Sequence, residues 1–249
     1  MKLFKIYIAI IFCWINHHAH ASLSRLNSIE EVITKFQEVT TNFKKEKNHR
    51  LIFATTYLDS TVELKKEIEK NSFQNPTWVE AIIVDFANLY IDSLTNYEKN
   101  NKTAISWREA FKINDERFHK LSAQLLLAMN AHIYHDLPIA LLKSFERGHD
   151  PLRVKKDFLK MNVVFERLTP KFMSLLYDLE KFFDISNKGI KDWIIFHVVK
   201  SMRADAWELG VGLFKKSPSE RSIMLEEIDL NAGKNAYFLL NNRFLIPAH

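Results

Sequence analysis

Cysteine is all but missing from this chain of 249 residues, where Cys13 is the only one. Nothing after that position can form a disulfide, a thiolate zinc site or a cysteine nucleophile. Glycine (5) and proline (6) are also scarce. Folds made of many short strands consume turn residues of those two types, so the shortage points to long helices. There is no glycine-rich phosphate loop, no H-E-x-x-H and no G-x-S-x-G elbow, which removes the usual nucleotide, zincin and serine-hydrolase signatures. Charge of one sign is lacking too. The formal excess of +5 is modest, and the densest basic run, Lys44-Lys45-Glu46-Lys47, is broken by an acid. No nucleic-acid partner is expected on that basis.

The N-terminus reads as a signal peptide. Lys2 and Lys5 form a basic start, Ile6 to Ile15 is an uncharged apolar run, and Ala19-His20-Ala21 supplies small residues for cleavage before Ser22. An apolar run of about ten residues is half the roughly twenty needed to span a bilayer. Phe12 before Cys13 does not suit a lipoprotein signal. The expected division is therefore a signal at 1–21 and one domain over 22–249, periplasmic or secreted. Cys13, His17, His18 and His20 leave with the signal, and the charge falls to about +3. No later uncharged run is long enough to span, so no transmembrane segment is expected after signal removal.

Helix signals recur along the remainder. Capping boxes at Ser28-Ile29-Glu30-Glu31, Thr77-Trp78-Val79-Glu80 and Ser217-Pro218-Ser219-Glu220 open helices, and Asp150-Pro151 pairs an N-cap with proline at the first helical position. Apolar periodicity predicts helices over about 29–45, 51–70, 77–95, 104–111, 115–136 with a continuation past Pro138 to 147, 151–167, 170–183, 189–214 and 218 onward, with the tail from 231 weakly determined. The fold class is all-α: a single-domain bundle of eight or more helices around a central apolar helix at 121–133.

That central helix carries the one polar cluster: Asn130, His132, His135 and Asp136. At about 100° per residue, Asp136 falls roughly 40° from His132 and His135 roughly 60° on the other side. Asn130, at about 160°, faces elsewhere and serves a packing contact. Imidazole and carboxylate at i, i+3 and i, i+4 can meet on one ligand, and such donors suit zinc, manganese or iron. Burying them costs several kcal/mol unless they are paired or ligated. In the structural alternative, Asp136 caps the segment starting at Leu137-Pro138 and His132 hydrogen-bonds across the core. Further groups on the late helix are His197, Arg203, Trp207 and Glu208. His197 and Glu208 lie about 16 Å apart along the axis, too far for one ion. Arg203 and Trp207, at i, i+4, can stack or clamp an anion.

Met129-Asn130-Ala131-His132-Ile133, followed by Asp136-Leu137-Pro138 and Ala140-Leu141, resembles the central motif of the DUF5995 family of uncharacterised bacterial proteins. Tyr57 with Thr61, Phe86-Ala87 with Tyr90, Trp107 with Ala110-Phe111, Asp157-Phe158 with Asn162, and Arg203 with Trp207 are similar to other parts of that pattern, in order from Leu51 to Trp207. The resemblance picks out His132 and Asp136, places His135 at a variable position, and implies no particular activity. His132-x-x-x-Asp136 before Leu-Pro is also similar to the H-x-x-x-D step of the zinc phospholipase C and P1 nuclease group. Those enzymes add further such pairs and an N-terminal tryptophan; this chain offers Ser22 and no second pair, which excludes their trinuclear set and leaves a smaller site open.

Three functional readings follow. One is a metal-assisted hydrolase, with His132 and Asp136 and the helper His135 holding a divalent ion, and with Asn130, Arg203 and Trp207 as binding groups. Another is a non-enzymatic protein holding an apolar or lipid-like ligand among aromatic helices, for which 19 phenylalanines provide material. The third is a structural or interaction domain in which His132 and Asp136 bond only protein groups.

Overall fold

The helix starts written in the sequence act as caps, with one displaced. The Ser28 hydroxyl accepts from the Glu31 N–H (3.2 Å), and the Glu31 carboxylate accepts from the Asn27 N–H (2.7 Å). Ser217 donates through both its N–H (2.9 Å) and its hydroxyl (2.7 Å) to Glu220. At the third start the cap is Asn75 rather than Thr77: its side chain accepts from the Trp78 N–H (3.1 Å), and Pro76 sits inside the first turn. Proline lacks an N–H and is fixed near helical φ, so it is taken into the helix and the cap moves back. Glu80, freed from capping, accepts from the Ile29 N–H (3.3 Å).

In the computed structural model, residues 25–112, 121–182 and 192–241 are described; the signal region and His119 lie outside them, and the side chain of His197 is likewise undescribed. The elements are α1 (Ile29–Lys45), α2 (Leu51–Glu69), α3 (Pro76–Glu98), α4 (Ile105–Phe111), α5 (Leu121–Asn130), a π-helical turn (Ala131–Asp136), α6 (Leu137–Glu146), α7 (Pro151–Phe182), α8 (Asp192–Phe214) and α9 (Pro218–Asn241). No strand occurs among the described residues. The fold is thus an all-α bundle.

Two helices expected at 151–167 and 170–183 are one. Pro170 lies inside α7 without ending it. The carbonyl it leaves unbonded, on Glu166, belongs to an exposed position where water can serve it. Buried Phe158, Met161, Val164 and Leu168 before the proline and Leu176 and Leu179 after it hold both halves on the same core. That packing outweighs the roughly 3 kcal/mol a mid-helix proline costs. The C-terminal end, weakly determined in sequence, continues α9 to Asn241.

The α5–π–α6 segment is the axis of the bundle. It packs through α5 on α2, α4, α7 and α9, through the π turn on α3, α4, α8 and α9, and through α6 on α3 and α8. Ala123–Glu146 is long and apolar enough to cross a membrane by length and composition alone. Counting uncharged runs missed it because Asp136 divides the run, whereas averaged hydropathy absorbs one charge. Its most apolar window is 78% buried inside the fold, as a core helix is. Close approach of α8 to α6 depends on Gly210, where a Cβ would stand 2.8 Å from the Leu141 Cβ.

Candidate functional site

The π turn arises where Pro138 follows the polar cluster. A proline ring clashes with the carbonyl four residues back and offers no N–H to it. Widening the preceding turn relieves both problems: the Leu137 N–H bonds the His132 carbonyl, five residues back. Wide turns of this kind are frequent at functional positions. Here it alters which side chains meet. Regular helical rotation separates His135 from Asp136 by about 100°, yet in the structure both imidazoles reach one carboxylate.

Asp136, fully buried, is the centre. Its Oδ2 accepts from His132 Nδ1 (3.0 Å) and from Trp107 Nε1 (2.9 Å), and its Oδ1 accepts from His135 Nδ1 (2.7 Å). The Asp136 side chain makes no capping bond to α6, so the capping alternative does not hold, and His132 bonds locally instead of across the core. The His132 ring lies flat on Phe86 (centroids 3.4 Å apart, planes 12°), with Phe53 and Tyr57 edge-on at 5.4 and 5.1 Å. Its Nε2 is buried and has no hydrogen-bond partner among the described residues.

Protonation follows from these contacts. Burial lowers the pKa of His132, outweighing the hydrogen bond and charge of Asp136 that raise it, and the charges of Arg203 and His135 lower it further. Burial also pulls His135 down, but the bond and charge of Asp136 prevail, aided by Asp229, and its pKa is raised. Asp136 would be pushed up by burial; the two imidazoles hold it low instead. These directions favour a neutral His132, an ionised Asp136 and a protonated His135. His132 carries its proton on Nδ1, leaving Nε2 as a bare acceptor.

The stability consequences have opposite signs. His135 contributes stability that is complete below its unfolded value of about 6.5 and is lost as pH rises through its higher folded value. His132 withdraws stability as pH falls below about 6.5, because only the unfolded chain takes that proton. A histidine-resolved NMR titration should find His132 titrating below about pH 6.5 from the Nδ1–H tautomer and His135 titrating above it; both rings titrating together near 6.5 would refute the assignment.

His132 also borders a cavity of about 120 Å³ between α2, α3, α5, α7 and α8. Its walls are chiefly Phe53, Tyr57, Phe86, Leu125, Met129, Ile133, Phe158, Met161 and Phe165. Ser60, Thr169, Phe172 and Met173, half-buried, line its outer part. Besides the hydroxyls of Thr56, Ser60, Thr61 and Thr169, the wall carries one cation among the described residues, Arg203, which is 4% exposed. Its Nε donates to Asn162 Oδ1 (2.7 Å) and its Nη2 more weakly to the Phe158 carbonyl (3.4 Å). Its guanidinium lies over the Phe158 and Phe165 rings at 4.4 and 4.8 Å. Burial pushes its pKa down to about 9.

The remaining sequence candidates are elsewhere. Trp207 does not stack on Arg203; it packs against Phe158 (4.7 Å) and Phe145 (5.6 Å), with the Lys155 ammonium 5.7 Å from its ring centroid. Asn130 donates to the Ala232 carbonyl of α9 (2.9 Å). Glu208, exposed, pairs with Lys155. Both Nδ1 atoms and both carboxylate oxygens of the His132–Asp136–His135 group are bonded to one another, so these donors do not converge on a vacant point. Among the described residues no three His, Cys, Asp or Glu side chains could hold a metal ion. Spacing within one helix did not reveal Trp107 as a donor to Asp136 or Phe86 as the plate under His132; their signal lay in the dispersed pieces of the family resemblance.

An all-α bundle threaded by a π-bulged core helix, with a buried His–Asp–His centre facing an apolar cavity, defines the type of protein. The model of a family of unknown function, DUF5995, matches residues 29–242, and the chain belongs to that family. No curated protein and no solved structure matched the chain.

Proposed function

We propose that the chain is an exported binding protein that holds an apolar, lipid-like small molecule in the cavity beside His132. One observation carries the reading: the space is walled chiefly by phenyl and aliphatic groups, yet His132 Nε2, a bare acceptor, has no partner on its edge among the described residues. A buried acceptor without a donor costs about 1–3 kcal/mol. Such a cost inside an apolar pocket is what a ligand hydroxyl or amide would recover. Apolar cavities of roughly 150 Å³ take a benzene-sized guest, and the half-buried outer part lets a longer molecule extend toward solvent. Export rests on the N-terminal segment and is tested by the mass of the secreted chain, expected to begin at Ser22.

The binding reading is tested by native mass spectrometry of the delipidated protein before and after exposure to a lipid extract. Uptake of a small apolar molecule is expected in the unaltered protein and none in Thr61→Phe, which fills the cavity from α2. Thr61 bonds only the Tyr57 carbonyl (2.9 Å), so the variant should stay folded. No uptake by either protein would end this reading.

The oriented dyad favours a second reading, hydrolysis. With Nδ1–H held by Asp136, Nε2 of His132 is placed as a general base is, and it is the imidazole nitrogen left for a zinc, manganese or iron ion. Turnover of p-nitrophenyl octanoate, with or without added metal, that disappears in His132→Gln would support it; no turnover under any of these conditions would remove it.

A further inference from the structure

A buried guanidinium ordinarily has a carboxylate beside it, because removing a lone charge from water costs several kcal/mol. Arg203 has none: among the described residues its polar contacts are the Asn162 amide oxygen and the Phe158 carbonyl, both neutral. The aromatic faces of Phe158 and Phe165 return part of the cost, on the order of 0.5–2 kcal/mol each. They do not neutralise the charge. No carboxylate lines the cavity among the described residues, and Asp136, behind His132, is already shared by two imidazoles and Trp107. Arg203 therefore brings an uncompensated positive charge to the wall of a mostly apolar space.

We infer that the ligand of this cavity is an amphiphile with a carboxylate head, seated on Arg203, and a short apolar tail lying among the phenyl and methionine side chains. The inference rests on the binding reading above and specifies its ligand class. A planar carboxylate matches the guanidinium fork. It also supplies a single negative charge, equal to the one cation present; a phosphate dianion would leave a surplus charge in the same apolar surroundings. His132, neutral and holding a lone pair at Nε2, adds no second positive charge to attract one.

The test measures binding of octanoate, 1-octanol and octyl phosphate to the full-length protein by calorimetry. Octanoate is expected to bind about ten- to a hundredfold more tightly than 1-octanol, the worth of one charge-assisted pair. Asn162→Asp places a carboxylate where the amide oxygen now lies 2.7 Å from Arg203 Nε. It should raise the melting temperature and abolish the preference for octanoate, while octanol still binds. Arg203→Gln should lose the preference as well, and Asn162→Asp keeps the proposal decidable if Arg203→Gln fails to fold. Equal binding of octanoate and octanol to the unaltered protein would overturn the carboxylate assignment and leave the cavity reading standing. Tighter binding of octyl phosphate would overturn it in favour of a phosphate head. Binding of none of the three would overturn both readings.

Discussion

Asp136→Ala is expected to cost about 3–5 kcal/mol of folding stability, as loss of one partner from a buried charged group does. Three donors would be stranded at once: His132 Nδ1, His135 Nδ1 and Trp107 Nε1, each now within 3.0 Å of the carboxylate. His135 would lose the anion that keeps it protonated, and Trp107, with no exposed surface, has no water to turn to. Asp136→Asn should be milder, because the amide oxygen can still accept from one side. Its NH₂ would face a second donor, so a net loss remains. Urea denaturation of the two variants against the unaltered protein measures both costs. A loss below about 1 kcal/mol for Asp136→Ala would mean that the carboxylate is held at a net cost and kept for chemistry, which would move weight to the hydrolytic reading.

The helices were legible because their causes are local. Ser28, Asp150 and Ser217 announce starts in a few residues, and the apolar run from Leu121 to Ile133 announces burial. Local rules give way where they meet packing. Pro170 signals a break, but a buried face on either side of it holds α7 together. Thr77 signals a cap, but Pro76 joins the helix. At the site, fixed rotation placed His132 and Asp136 together and set His135 apart; the π turn cancels that separation, and its cause, Pro138, was in view without its consequence. The cavity was the least legible part. Its walls come from α2, α3, α5, α7 and α8, and helical periodicity shows that each has an apolar face without showing that the faces leave a gap. Arg203 was singled out for the wrong neighbour: i, i+4 spacing suggested Trp207, while Asn162, 41 positions earlier, receives its hydrogen bond.

That gap depends on α3 and α7 being held in register, and one buried carboxylate ties the start of α3 to α7 directly. Asp157 of α7, 1% exposed, accepts from the Gln74 N–H (2.8 Å) and the Asn75 N–H (2.6 Å) just before α3. It presents a negative charge at a helix start, where the dipole favours it. Next to it in α7 is Phe158, which lines the cavity and lies under Arg203; three turns into α3 is Phe86, which lies under His132. Asp157→Ala should therefore cost about 2–3 kcal/mol, the loss of two charge-assisted bonds whose donors, on exposed Gln74 and half-buried Asn75, water can partly serve. The loss should also be uneven: hydrogen exchange is expected to rise first at the α3 start around Trp78 and along the outer half of α7, with α6 and α8 protected until global unfolding. Ligand uptake should weaken in the same variant, because Phe86 and Phe158, which both line the cavity, are no longer held in place. A uniform increase in exchange across all helices would show that Asp157 supports the bundle as a whole, with no particular hold on the cavity walls.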